Sequence, residues 1–166
     1  MKASYNALID IIFTNEQAEL ITLSDVKNWL KLDLNDDDSL LITIITAARI
    51  QVENVINLSL ISRTIKATII NGLGNFLLPY GPVTTITTVQ DMLGNLVPNA
   101  YIGNIIYEAF EHTAIVTYDV QVTAIRPNIK LALLQQCAFL YEHRGDGSAN
   151  GISPIVLNNL KSIRRL

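Results

Sequence analysis

The hydrophobic period of this chain changes twice, and that change limits the folds open to it. From Thr22 to Ile56 apolar residues recur every three or four positions. From Ile61 to Ile70 they alternate with polar ones, strand-like segments broken by turns continue to Tyr118, and from Pro127 onward the helical spacing returns. A period near 3.6 marks a helix with one covered face, and a period of two marks a strand with one covered face. The order predicts an α+β protein: a predominantly helical bundle with a small inserted antiparallel β-sheet.

Thr22-Leu23-Ser24-Asp25 has the spacing of a capping box, with Asp in place of the usual Glu or Gln. Val26, Trp29 and Leu30 supply one apolar face of a short helix ending near Leu32. Asp33 to Asp38 is an acidic break at the start of the next helix, where the dipole favours carboxylates. That helix runs from about Ser39 to Ile56, with Leu41, Ile44, Ile45, Ala48, Val52, Val55 and Ile56 in one stripe. Ile50 lies on the opposite side and is a candidate subunit contact. Arg49 and Glu53, one turn apart on the flank, read as a solvated pair worth about a few tenths of a kcal/mol. Asn57 is placed to end the helix in a left-handed conformation.

Ile61, Ile65, Ala67 and Ile69 alternate with polar residues, and Asn71-Gly72 with Gly74-Asn75 turns the chain into a return strand from Phe76 to Pro79. Gly81-Pro82 breaks it. Val83 to Asp91 is a third strand, turned by Leu93-Gly94-Asn95, and Tyr101–Tyr107 and Thr113–Tyr118 are two more. Pro127 opens a helix that reaches His143 or Arg144 before Gly145. Its apolar residues cover almost the whole circumference, as in a central helix or one sandwiched by a neighbour. After a loop from Gly145 to Gly151, Ser153 caps a last helix with Pro154 in its first turn and Val156, Leu160 and Ile163 as a stripe.

At 166 residues the chain fits one globular domain. With 49% hydrophobic and 16% charged residues it is not disordered, and it is apolar for a small monomer. Either many elements are buried on all sides or partners cover part of the surface. The net charge of -3 offers no basic footprint for nucleic acid; Lys161, Arg164 and Arg165 form the one cationic cluster. Cys137 is alone, which excludes an intrachain disulfide and a Cys-based zinc site. Ala7 to Phe13 is interrupted by Asp10 and reads as no signal peptide, and no stretch approaches the roughly 20 apolar residues of a membrane span. The expectation is a soluble protein, cytoplasmic when made.

The inventory offers no chemistry. His112 and His143 stand in no metal-ligand spacing, and Cys137 sits mid-helix among apolar residues, where the thiolate is disfavoured. The run Asp33, Asp36, Asp37, Asp38 lacks the glycine and distal Glu of a calcium loop. Gly72-Leu-Gly74 lacks the further glycine and following helix of a phosphate loop. No Ser, His and Asp form a triad. The expectation is no enzyme, no cofactor and no metal.

Several segments, taken in order, resemble the head–tail connector proteins of tailed phages, the family typified by the HK97-like and SPP1-like adaptors. They are Ile21-Thr-Leu-Ser-Asp-Val-Lys-Asn-Trp-Leu30, Asp36-Asp-Asp-Ser-Leu-Leu41, Ala47-Ala48-Arg49 with Glu53, and the strand from Ser62 to Ile70. Leu78-Pro79, the segment Gly81 to Val89, and Val116-Thr-Tyr118 follow. Pro127-Asn-Ile-Lys130, Ala138-Phe-Leu-Tyr-Glu-His-Arg144 and Leu157 to Arg165 complete the series. The likeness covers residues 21–166. Residues 1–20 precede the usual family start and are read as an extension, an arm or a strand. Glycines common in the family are replaced at Tyr118-Asp-Val-Gln121 and Ile56-Asn-Leu-Ser59.

The resemblance implies a structural virion protein at the head–tail interface. Its single connector-like domain, residues 21–166, would hold a β-rich insertion at about 61–120 and a docking helix at about 153–166. Copies would form a dodecameric ring under the portal, bound below by the next tail or stopper protein. Genomic DNA would pass through without sequence-specific binding, and no membrane is involved. Ile155, Leu160, Lys161, Arg164 and Arg165 are the candidate portal contacts. The rivals are another virion ring, such as a tail-completion or stopper protein, and a small DNA-binding regulatory protein, which lacks a basic recognition helix here.

Overall fold

The computed structural model describes residues 7–70, 76–97, 101–102, 105–106, 113–146, 151–161 and 163. Two compact units divide the chain: Met1–Gln17 with Ile61–Val122, and Ala18–Leu60 with Thr123–Leu166.

The second unit is helical. It contains α1 (Leu23–Leu30), α2 (Asp38–Ile56), α3 (Pro127–Glu142) and α4 (Pro154–Leu160). Leu41, Ile44, Ile45, Ala48, Val52 and Ile56 of α2 are buried, as their spacing predicts, against Val26, Ile129, Ala132, Leu133, Cys137, Val156 and Leu160. Each large aliphatic side chain taken fully from water contributes about 1.5–3 kcal/mol. Asn57 ends α2 with φ 55°, in the left-handed conformation. Contrary to the sequence reading, α2 is long and apolar enough to cross a membrane by length and composition, a test that a soluble core helix also passes.

The first unit is a sheet. β1 (Ala7–Thr14), β2 (Arg63–Ile70), β7 (Thr113–Val120) and β4 (Val83–Asp91) make four antiparallel strands in the order β1-β2-β7-β4. On β7 half-buried and buried residues alternate strictly, with Ala114, Val116, Tyr118 and Val120 inward. Ile65, Ala67 and Ile69 of β2, Ile86 and Val89 of β4, and Leu78 complete the core. On the outer face Thr64 Oγ1 donates to Asp119 Oδ1 at 2.7 Å. Both sheet edges are irregular: the register shifts once in β1 and twice in β4.

Three expectations change. The sheet unit has its own core of nine buried residues, so the fold is α+β but not a predominantly helical bundle. Phe76–Leu77 (β3) does not return along β2, whose two edges are taken by β1 and β7; it pairs with β6 (Ile105–Ile106). The predicted strand Tyr101–Tyr107 is instead two short pieces, β5 (Tyr101–Ile102) and β6, paired antiparallel in a second sheet. The expected turn at 71–75 lies outside the described residues.

Candidate assembly surfaces

A buried ionic cluster fixes the end of α2. Arg49 Nη1 donates to Glu53 Oε2 at 2.9 Å, and Arg49 Nε donates to Glu19 Oε1 at 2.8 Å. Glu53 Oε1 accepts from the backbone N–H of Leu60 at 2.6 Å, so one side chain ties the helix to the segment that leaves it. Arg49 is 4% and Glu53 1% exposed, which overturns the solvated flank pair expected from sequence. Two segments without periodic signal, around Glu19 and Leu60, cover the pair.

The capping box is formed. Asp25 N–H donates to Thr22 Oγ1 at 3.1 Å, and Thr22 N–H donates to Asp25 Oδ2 at 3.0 Å. Lys130 Nζ reaches Asp25 Oδ1 at 2.9 Å, tying α1 to α3. The Thr22 backbone bond, then Lys130, hold the Asp25 carboxyl down at about 2. Trp29, assigned to the apolar face of α1, is 44% exposed. With Ala138, Phe139 and Glu142 of α3 and with Ser153 and Ile155, it lines an open groove of about 250 Å³.

Gln136 holds Ser153, one of the residues that line that groove. It is fully buried, its Nε2 donates to Gln51 Oε1 at 2.7 Å and to the Gly151 carbonyl at 3.0 Å, and its Oε1 accepts from Ser153 N–H at 2.9 Å. Ser153 occupies the N-cap of α4 but makes no side-chain cap bond, so Gln136 anchors this helix start. Sequence reasoning missed Gln136, because a polar residue on a helix gives no sign of burial until a loop closes over it.

The candidate portal contacts divide. Ile155 is 66% exposed on the groove, and Lys161 is exposed. Leu160 is a core residue with no exposed surface, so its place in the apolar stripe with Val156 decides its role. Arg164 and Arg165 lie outside the described residues. Ile50 is exposed on α2, on the side predicted for it.

Burial pushes the Cys137 thiol up to about 12, where it is inert as a nucleophile. His143 is exposed, its ring stacked on Phe139 with Nδ1 2.9 Å from the Phe139 carbonyl; His112 lies outside the described residues. The acidic break is partly tied down: Asp38 pairs with Lys27 at 2.8 Å, and Asp37 accepts the Tyr141 hydroxyl. Among the described residues no three His, Cys, Asp or Glu side chains converge on a metal position.

An open groove lined by Trp29, Phe139 and Ile155 is an apolar surface of the kind that docks partners. Over residues 19–162 the sequence matches the head completion protein family, and the chain belongs to that family. It is a structural virion protein with a head–tail connector role. The fold is similar to a chain in the neck of an empty gene transfer agent particle computed with C6 symmetry. The TM-score is 0.70 at 18% identity, covering 95% of this chain and 96% of that one. A chain of the native gene transfer agent virion matches with a TM-score of 0.71 at 18% identity, over 95% and 96%. One from the native neck computed with C12 symmetry matches with a TM-score of 0.63 at 17% identity, over 93% and 96%. At these identities the likeness is one of fold. No curated protein matches the sequence.

Proposed function

We propose that this head completion protein acts without catalysis as an adaptor of the HK97-like or SPP1-like kind. Copies form a ring under the portal, extend the DNA channel and receive the next tail or stopper protein. The carrying observation is the groove of Trp29, Phe139 and Ile155, an aromatic-rich apolar surface of the sort that anchors interfaces. Ile155 and Lys161, with Arg164 and Arg165 beyond them, are the contacts we assign to the portal. The C12 symmetry of a matched neck supports a dodecameric ring, and a heterologous interface repeated about an axis closes in that way. The net charge of -3 suits a channel through which DNA slides, since a ring of cations would hold its phosphates. The chain is made in the bacterial cytoplasm and incorporated into the virion at the head–tail interface.

Light scattering on the protein alone and with its portal tests this. A stoichiometric complex is expected, and it should be lost in Ile155→Asp and in Arg164→Glu with Arg165→Glu. Wild-type protein that ignores the portal but binds the tail tube points to the stopper reading instead. Intact co-assembly of the arginine variant rejects the C-terminal docking surface.

A further inference from the structure

Three strongly exposed apolar side chains, among them the most exposed in the described chain, sit together on a turn that follows β4. Leu93 is 88%, Leu96 68% and Met92 61% exposed. Such a tip is costly to leave in water, yet its backbone is braced. Asp91 Oδ1 accepts from Leu93 N–H at 2.8 Å and Asn95 N–H at 2.9 Å, and Asp91 Oδ2 accepts from Asn95 Nδ2 at 2.8 Å. Below it Val97 N–H donates to the Val89 carbonyl at 2.9 Å, and Gly94 takes φ 84° to close the bend. The turn therefore holds its apolar side chains out in one geometry, which lowers the entropy cost of docking them.

The helical unit carries an answering concavity. Ile21, Leu23, Ile42, Ile45 and Thr46 line an open, mostly apolar groove of about 240 Å³, room for about eight waters at about 30 Å³ each. Ile42 at its rim is 57% exposed, and Ile50 follows Thr46 by one turn along the same side of α2. Neither surface brings an uncompensated charge. The Asp91 carboxylate is taken up by its own turn, and Glu19 at the groove edge is paired with Arg49.

The geometry points to a knob-into-groove contact between copies, in which the Met92–Leu93–Leu96 tip of one chain seats in the Ile42–Thr46 groove of the next. Tip and groove are different surfaces of the same chain, so the contact is heterologous and repeats from copy to copy. It rests on the ring reading above and names the surfaces that make the ring. Three side chains cover on the order of a few hundred Å², well short of the ~800 Å² per partner of a stable complex. A single contact is therefore weak, and its repetition around a closed ring supplies the strength.

Equal amounts of full-length Leu93→Cys and Ile42→Cys chains, mixed at high concentration and oxidised, test it. Both positions are exposed, and the buried Cys137 does not compete. The mixed disulfide should exceed either homodimer by about tenfold, against about twofold for random pairing. Leu93→Cys with Ile155→Cys should stay at the random ratio. A random or homodimer-dominated product in the first mixture overturns the proposal, as does an equal excess in the second. Because the readout needs no portal, its failure is separate from failure of the adaptor reading, which portal binding alone decides.

Discussion

Arg49 and Glu53, one helical turn apart on α2, meet at 2.9 Å with side chains only 5% and 2% exposed. Glu53 is the hinge of this pair, since its other oxygen receives the Leu60 N–H. Removing one member of a buried ion pair strands the other in low dielectric. Glu53→Ala should lower the unfolding free energy by about 3–5 kcal/mol in urea titrations. Glu53→Gln, which keeps an acceptor for Leu60, should lose less. Equal losses for the two would show that the Leu60 bond contributes nothing.

Gln136 joins α3 to the start of α4 through three hydrogen bonds. Gln136→Leu keeps similar bulk but leaves the Gly151 carbonyl and Ser153 N–H without their partner. A cost of about 1–3 kcal/mol is expected, with faster amide exchange at Ser153 and through α4. Unchanged exchange there would remove Gln136 as the anchor of that helix.

Tyr118 lies in the sheet core with its hydroxyl donating to the Pro79 carbonyl at 2.7 Å. Tyr118→Phe should cost about 1 kcal/mol or somewhat more, because the carbonyl is left buried and unpaired. Burial also pushes the phenol well above the ordinary tyrosine value. In a spectroscopic alkaline titration, Tyr118→Phe should therefore leave the early phase, from tyrosines that titrate in the ordinary range, unaltered. Loss of amplitude in that phase would contradict a buried Tyr118.

Asp25 has a carboxyl held down at about 2 from an ordinary 3.8, by the Thr22 backbone bond first and Lys130 second. A depressed folded-state value stabilises the protein above the unfolded value and is lost as pH falls through the folded one. Wild-type protein should thus lose stability between about pH 4 and pH 2, and Asp25→Asn should show a shallower acid slope over that window. Identical slopes would rule out Asp25 as a contributor.

The helices were legible because their signals are local. The Thr22–Asp25 spacing, the α2 stripe, Asn57 and Pro127 each report on a few neighbouring residues, and each is found where expected. What depended on distant partners was not. The Arg49–Glu53 pair reads as solvated until Glu19 and Leu60 close over it, and Gln136 reads as polar surface until Ser153 meets it. The strand Ala7–Thr14 received no firm reading because Asp10 interrupts its apolar run. β3 was misplaced because pairing with Ile105–Ile106 is not written in either segment. Of the surfaces, Ile50 and Ile155 were visible as apolar residues off the core stripe. Leu93 passed as a turn residue, since glycine and asparagine beside it explain the bend without explaining the leucine.

The two register shifts in β4 carry a consequence for a chain proposed to work among its own copies. An even, flat border would invite a second molecule to add a fifth strand and a third molecule to follow, building fibres. The kinked border of β4 offers no continuous row of partners for such growth. Free subunits are thereby steered away from endless stacking and kept available for the closed ring proposed above.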